Sequence, residues 1–204
     1  TIDDFLSCLT NAYPDQTKLI NIGSSIQGRN LNLLKISSNL AITGKPGVWI
    51  DGGIHAREWI SPSAVTYLMF EFLNNDYKYQ DILNKYDLYI LPLVNPDGYE
   101  FSRTEGNRMW RQNRNWYNWW TGCFGVDLNR NWDTPDWGLT GSSKDPCNKD
   151  QIYAGSWTFS EPETRSIRDF IWERKDYLKV LICNVTDLFK DFFFLFLYLI
   201  KILI

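Results

Sequence analysis

His55 is the single histidine of this 204-residue sequence, and Glu58 follows it three residues later in His55-Ala56-Arg57-Glu58. An imidazole nitrogen and a carboxylate oxygen are standard zinc donors, and a short loop lets two such side chains converge. Taken alone the pair is a weak signal, because glutamate falls at any fixed offset from a histidine about one time in fifteen. A surface or structural histidine is then the simpler reading. Three further clusters shift the balance. Asn107-Arg108-Met109-Trp110-Arg111 carries two arginines, with Arg114 following. Asp127-Leu128-Asn129-Arg130-Asn131-Trp132 joins an acid, an amide and an arginine, and Asn95-Pro96-Asp97-Gly98 precedes both. Arginine grips a carboxylate through two parallel hydrogen bonds, which lysine cannot reproduce. A candidate metal pair with loop arginines can therefore hold an acidic group near a Lewis acid, although each arginine taken singly also reads as a solvated charge.

Apolar spacing suggests the elements that must position these residues. Phe5, Leu6, Leu9 and Ala12 repeat at helical intervals over residues 2–12, up to Pro14. Residues 19–26 and 31–36 alternate as two strands about the turn Gln27-Gly28-Arg29-Asn30, a hairpin. Val48-Trp49-Ile50 is a buried-strand run closed by Asp51-Gly52-Gly53. His55 thus stands just past a strand end, where α/β enzymes place ligands and catalysts. Ala64, Val65, Leu68, Met69 and Phe72 share one helical face over residues 61–75. Residues 88–94 form another apolar run, ended by the turn signal Asn95-Pro96-Asp97-Gly98. Residues 99–157 lack periodicity and read as a long ordered loop region, which in a compact domain is usually functional. Ser160-Glu161-Pro162-Glu163 is a capping-box pattern ahead of a helix carrying Ile167, Phe170 and Ile171. Strands alternating with helices predict an α/β class with a mixed, largely parallel sheet flanked by helices.

Charge is nearly balanced, with 21 basic residues against 24 acidic ones. No basic stripe interleaves with aromatics, which argues against a nucleic-acid partner. The 10 Trp, 11 Tyr and 12 Phe suit an extracellular enzyme with a broad apolar-lined cleft without demanding one. No signal peptide is visible, and Thr1-Ile2-Asp3-Asp4 reads as a processed start. None of the four cysteines forms a C-x-x-C pair, so a cysteine-based structural zinc site is not expected. A disulfide between Cys123 and Cys147 would close a modest loop, with Cys8 and Cys183 unpaired.

The Gly28-Arg29 turn, the segment from Gly53 to Ile60, Asn95-Pro96-Asp97-Gly98, the Asn107–Arg111 run and the Asp127–Trp132 run together resemble the zinc carboxypeptidase family of the pancreatic A and B type. The resemblance runs from Thr1 to about Lys179. It implies that His55 and Glu58 are two of three zinc ligands and that Asp127 orients the zinc-binding imidazole. It implies that Arg111 stabilises the oxyanion formed when water attacks the scissile carbonyl. Asn129 and Arg130 are then the pair that binds the substrate's terminal carboxylate, with Arg57 a secondary contact on the way in. A disulfide falls at Cys123 and Cys147 in this family, as suits a secreted enzyme. The implied protein is a monomer acting on the C-terminus of peptide or protein substrates, with one zinc per intact site.

The sequence also departs from the family. The third ligand is a histidine in a His-Ser-Tyr segment on the strand after the helix over residues 163–175. Here Tyr177-Leu178-Lys179 opens that strand and no second histidine follows. The family's general-base glutamate, substrate-capping tyrosine and specificity-pocket residues are likewise missing. Residues 1–179 therefore read as an incomplete catalytic domain and residues 180–204 as an unrelated apolar tail. Those last 25 residues hold no Gly, Ala, Pro, Arg, Trp or His, while Phe, Leu and Ile make up 15 of them. Intron read-through or a frame shift explains such a segment. A buried strand and helix, or a membrane anchor, are the alternatives, but the apolar run from Phe192 is interrupted by Lys201 and is shorter than the roughly 20 residues that span a bilayer. The Val48 and Leu88 strands are then expected to lose covering neighbours and expose an edge. The chain as written is expected to be inactive, or to bind peptide carboxylates without turnover.

Overall fold

The computed structural model describes residues 1–118, 122–174 and 178–182. Most of the expected apolar tail, residues 183–204, and its Cys183 lie outside the described residues.

The chain opens with helix α1 (Ile2–Ala12), whose first turn is closed by a reciprocal cap between Thr1 and Asp4. Strands β1 (Thr17–Ser24) and β2 (Asn30–Ile36) form the hairpin. Strand β3 (Gly47–Asp51), helix α2 (Ile60–Asn74), helix α3 (Asp76–Lys85) and strand β4 (Asp87–Leu91) follow. Helix α4 (Pro96–Ser102) leads into a region with two short strands, β5 (Trp116–Asn118) and β6 (Cys123–Phe124), and a 3₁₀ turn at Leu128–Arg130. Helix α5 (Pro162–Trp172) and strand β7 (Leu178–Ile182) complete the described elements.

The main sheet has the order β1-β2-β4-β3-β7. The β1–β2 and β2–β4 pairs are antiparallel, and the β3–β4 and β3–β7 pairs are parallel. The sheet is thus mixed, in a fold of the α/β class. Alternation along the central strands divides their side chains between two cores. Leu34, Ile36, Val48, Ile50, Leu88 and Ile90 face the core shared with α1, α2 and α3. Leu31, Leu33, Trp49, Tyr89 and Leu91 face the core shared with Ile167 and Phe170 of α5 and with Leu128.

Three expectations are corrected. Strands β3 and β4 do not lose their neighbours: β3 lies between β4 and β7, β4 lies between β2 and β3, and both are buried along their length. The Asn95–Gly98 segment starts a helix instead of ending at a turn, because the Asn95 side chain caps Gly98 and Pro96 takes a first-turn position where no N–H is needed. Ser160-Glu161-Pro162-Glu163 forms no capping box, since Glu161 is the N-cap and makes no side-chain cap. The Glu163 carboxylate is turned inward and accepts from the Ile26 N–H at 3.0 Å instead.

Candidate metal centre and active site

The loop after β3 is built on glycine. Gly53 adopts φ +66°, and a Cβ there would stand 2.6 Å from Leu93 Cδ1. The buried Ser61 hydroxyl of α2 accepts from the Gly53 N–H at 3.0 Å, tying the loop to the helix behind it. This tight turn delivers His55 into the interior with 4% of its surface exposed.

The imidazole lies between two carboxylates. Nδ1 is 3.0 Å from Glu58 Oε1, and Nε2 is 3.1 Å from Oδ1 of Asp127, which is fully buried. The second oxygen of Asp127 accepts from Arg111 Nε at 2.9 Å and meets Arg111 Nη2 at 2.8 Å. Arg111 Nη1 stands 3.9 Å from Glu58 Oε1. Four of the expected site residues, His55, Glu58, Arg111 and Asp127, therefore form one cluster drawn from three separate loops, with His55 and Asp127 buried and Glu58 and Arg111 partly exposed.

Burial pushes the His55 pKa down, but the hydrogen bonds to Asp127 and Glu58 outweigh it and raise the value above the ordinary 6.5. Burial alone would raise the Asp127 pKa, yet His55 and Arg111 hold it below the ordinary carboxylate value. His55 and Asp127 thus shift each other in opposite directions, the imidazole upward and the carboxyl downward.

The remaining expected residues are placed differently. Arg57 Nη1 reaches the Met109 carbonyl at 3.5 Å. Asn129 donates its main-chain N–H to Asp127 Oδ1 at 3.0 Å, which adds another bond to that carboxylate. Arg130 is held by main-chain carbonyls, with Nε on Gly141 at 2.7 Å and Nη1 on Asn129 at 3.0 Å. Cys123 and Cys147 form a disulfide with a Cα–Cα distance of 5.1 Å, and Cys8 is a free, exposed thiol. Sequence reading missed Gln151, whose Oε1 accepts from the Arg111 N–H at 2.7 Å. Its residue type and neighbours gave no signal of that contact.

The donor chemistry fits zinc in part. When Nε2 carries its proton toward Asp127, Nδ1 presents a lone pair to a carboxylate oxygen 3.0 Å away. Two acceptors that close need a shared cation, and a metal ion can take the place of the proton. His55 and Glu58 can therefore serve as two donors. Among the described residues no group of three or more His, Cys, Asp and Glu side chains is arranged to hold a metal ion.

The sequence pattern of the zinc carboxypeptidase family matches residues 2–184. Carboxypeptidase B of Astacus astacus is 43% identical over 181 residues, covering 89% of this chain and 58% of that protein. Zinc carboxypeptidase A 1 of Anopheles gambiae is 41% identical over 171 residues, covering 83% of this chain and 37% of that protein. The crystal structure of carboxypeptidase A from Helicoverpa armigera superposes with a TM-score of 0.80 at 36% identity, covering 89% of this chain and 44% of that one. The chain spans between about a third and three fifths of the length of these relatives. With matching sequence over most of its length and the same fold, this chain belongs to the zinc carboxypeptidase family.

Proposed function

We propose that the protein is a zinc-dependent carboxypeptidase that removes C-terminal amino acids from peptides and proteins, working as an extracellular monomer. The observation that carries the reading is the cluster in which the buried Asp127 takes His55 on one oxygen and Arg111 on the other. The Cys123–Cys147 disulfide supports an oxidising, extracellular setting.

In this reading His55 and Glu58 hold the metal. The chemistry zinc supplies when bound is Lewis-acid polarisation of a carbonyl and a lowered pKa for water. Asp127 keeps the proton on His55 Nε2, which fixes the tautomer and leaves the Nδ1 lone pair on the Glu58 side. Arg111 commits Nε and Nη2 to Asp127, so Nη1 is the edge directed toward Glu58 and toward charge developing beside the donor pair. Asn129, Arg130 and Arg57 take the terminal carboxylate of the substrate. For Arg130 this exchanges its main-chain contact with Gly141 for a carboxylate oxygen, a stronger, charge-assisted bond.

The 204-residue chain by itself is read as inactive, because His55 and Glu58 make two donors where a catalytic zinc takes three. Asn129, Arg130 and Arg57 need no metal to grip a carboxylate, which supports a second reading, a family member that binds peptide carboxylates without turnover. Metal analysis of a fusion joining residues 1–179 to the C-terminal part of the Astacus astacus relative tests the donor assignment. The fusion should hold one zinc per chain, and His55→Ala and Glu58→Ala should each lose it. Full zinc content in both variants would overturn the assignment. A fusion that binds peptide carboxylates but hydrolyses nothing would favour the second reading.

A further inference from the structure

Asn95 is completely buried where the chain leaves β4, and its carboxamide lies between two loops of the site. Nδ2 donates to the Ile54 carbonyl at 3.2 Å and to the Gln112 carbonyl at 3.0 Å. Ile54 directly precedes His55, and Gln112 directly follows Arg111. Two carbonyl oxygens turned toward the same space cannot bond to each other, because both are acceptors. A primary amide carries two N–H donors on one nitrogen and can serve both. Alongside this bridge the Ala56 N–H donates to the Arg111 carbonyl at 3.0 Å. Near the loop surfaces Arg108 Nη1 donates to the Arg57 carbonyl at 2.7 Å and Arg57 Nη1 to the Met109 carbonyl at 3.5 Å.

The bridging amide is itself fixed. The Asn95 N–H donates to the Gly53 carbonyl at 3.1 Å, and Oδ1 accepts from the Gly98 N–H at 2.9 Å. Since β3 and β4 run parallel, their ends emerge side by side, and the Val94 N–H to Gly52 carbonyl bond at 2.9 Å extends that pairing past both strands. Gly98 leaves the room. A Cβ at that position would stand 2.6 Å from Asn95 Nδ2 and closer still to the Gln112 carbonyl oxygen. Alanine is the better helix former by about 1 kcal/mol, so a glycine inside α4 answers to that clearance and not to helix propensity.

We propose that Asn95 is a positioning residue of the His55–Arg111 site, with Gly98 as the clearance its amide requires. The amide sets the separation of the loop carrying the metal donors from the loop carrying Arg111, and so the alignment of both side chains on Asp127. What the site does rests on the carboxypeptidase reading; the bridge itself is testable without zinc or substrate. In the unmodified 204-residue chain and its variants, amide hydrogen exchange at Ala56 reports the joint between the loops, and exchange at Trp49 in β3 reports the sheet. The ring-proton resonances of the single histidine report its surroundings directly.

Asn95→Ser keeps a capping oxygen but cannot bridge, and Gly98→Ala keeps Asn95 but fills its space. Both should lower protection at Ala56 about tenfold or more while leaving Trp49 nearly unchanged, and both should move the His55 ring signals. Leu68→Ala, a cavity in the opposite core, should lower protection throughout without moving those signals. Equal loss at Ala56 and Trp49, unmoved His55 signals, or unfolding of both site variants would overturn the proposal, because Asn95 would then support the fold alone. Failure of the carboxypeptidase reading would appear instead as a fusion without zinc or hydrolysis, with these exchange results intact.

Discussion

Asp127 and Arg111 meet at one oxygen, with Arg111 Nε 2.9 Å and Nη2 2.8 Å from Asp127 Oδ2, which leaves Oδ1 to His55. One buried carboxylate therefore aligns an imidazole and a guanidinium that belong to loops 56 residues apart. Its removal has a defined sign. The His55 pKa is raised in the fold, so its contribution to stability is fully present below about 6.5 and is lost as pH climbs through the raised value. Asp127→Asn removes both the carboxylate hydrogen bond and its charge, leaving burial to dominate. The His55 pKa should then fall below its wild-type value, as read from the titration of the only histidine by NMR. An unchanged or higher pKa would contradict the assigned cause.

Glu163 gives a second pH dependence of the opposite kind. It is completely buried, and burial pushes its pKa from 4.5 up to about 7, with Glu161 and Asp97 adding to the rise and the Ile26 N–H opposing it. A carboxyl whose folded pKa is raised stabilises the native state below its unfolded pKa, and that stability is lost as pH rises between the two values. The window is therefore about pH 4.5 to 7, and the loss is on the order of 3 kcal/mol. Glu163→Gln keeps an oxygen for Ile26 and cannot ionise. Its Tm relative to wild type should rise between pH 5 and pH 8. A difference constant with pH would show that Glu163 does not titrate in this range.

The disulfide carries a third expectation. Cys123 and Cys147 are 24 residues apart in sequence, and closing a loop of that size stabilises a fold by about 3 kcal/mol in the chain-entropy account. Unreduced peptide mapping should recover the two in one linked fragment, while Cys8 reacts with an alkylating agent in the native protein. Replacing both bonded cysteines by alanine should lower the Tm. Cys8 found joined to either partner would refute the pairing.

Elements whose burial is regular were legible in the sequence. The period of Leu6 and Leu9 gave α1, and the unbroken apolar run Val48-Trp49-Ile50 gave the buried strand β3. Helix α3 was missed because it buries only Ile82 and Leu83 among polar neighbours, too little for a periodic signal. Helix α4 was hidden by Pro96 and Gly98, which read as punctuation until Asn95 is seen to accept from the Gly98 N–H and Pro96 to take a first-turn position that needs no N–H. The site residues stood out as separate clusters of unusual types. Their convergence was not legible, since it depends on loops far apart in sequence meeting beyond the parallel ends of β3 and β4. The Gln151 contact to the Arg111 N–H depends on the same meeting.

Hydrolysis of blocked dipeptides with a free C-terminus decides whether the site is a zinc-dependent carboxypeptidase centre. Substrates ending in Phe, Leu, Lys and Arg would be offered, with added zinc, to the 204-residue chain and to the fusion of residues 1–179 with the C-terminal part of the Astacus astacus relative. The fusion should release the C-terminal amino acid, with release abolished by a chelator and by His55→Ala, and the 204-residue chain should release none. Chelator-sensitive hydrolysis by the 204-residue chain, or a folded, zinc-loaded fusion that releases nothing, would contradict the proposed function.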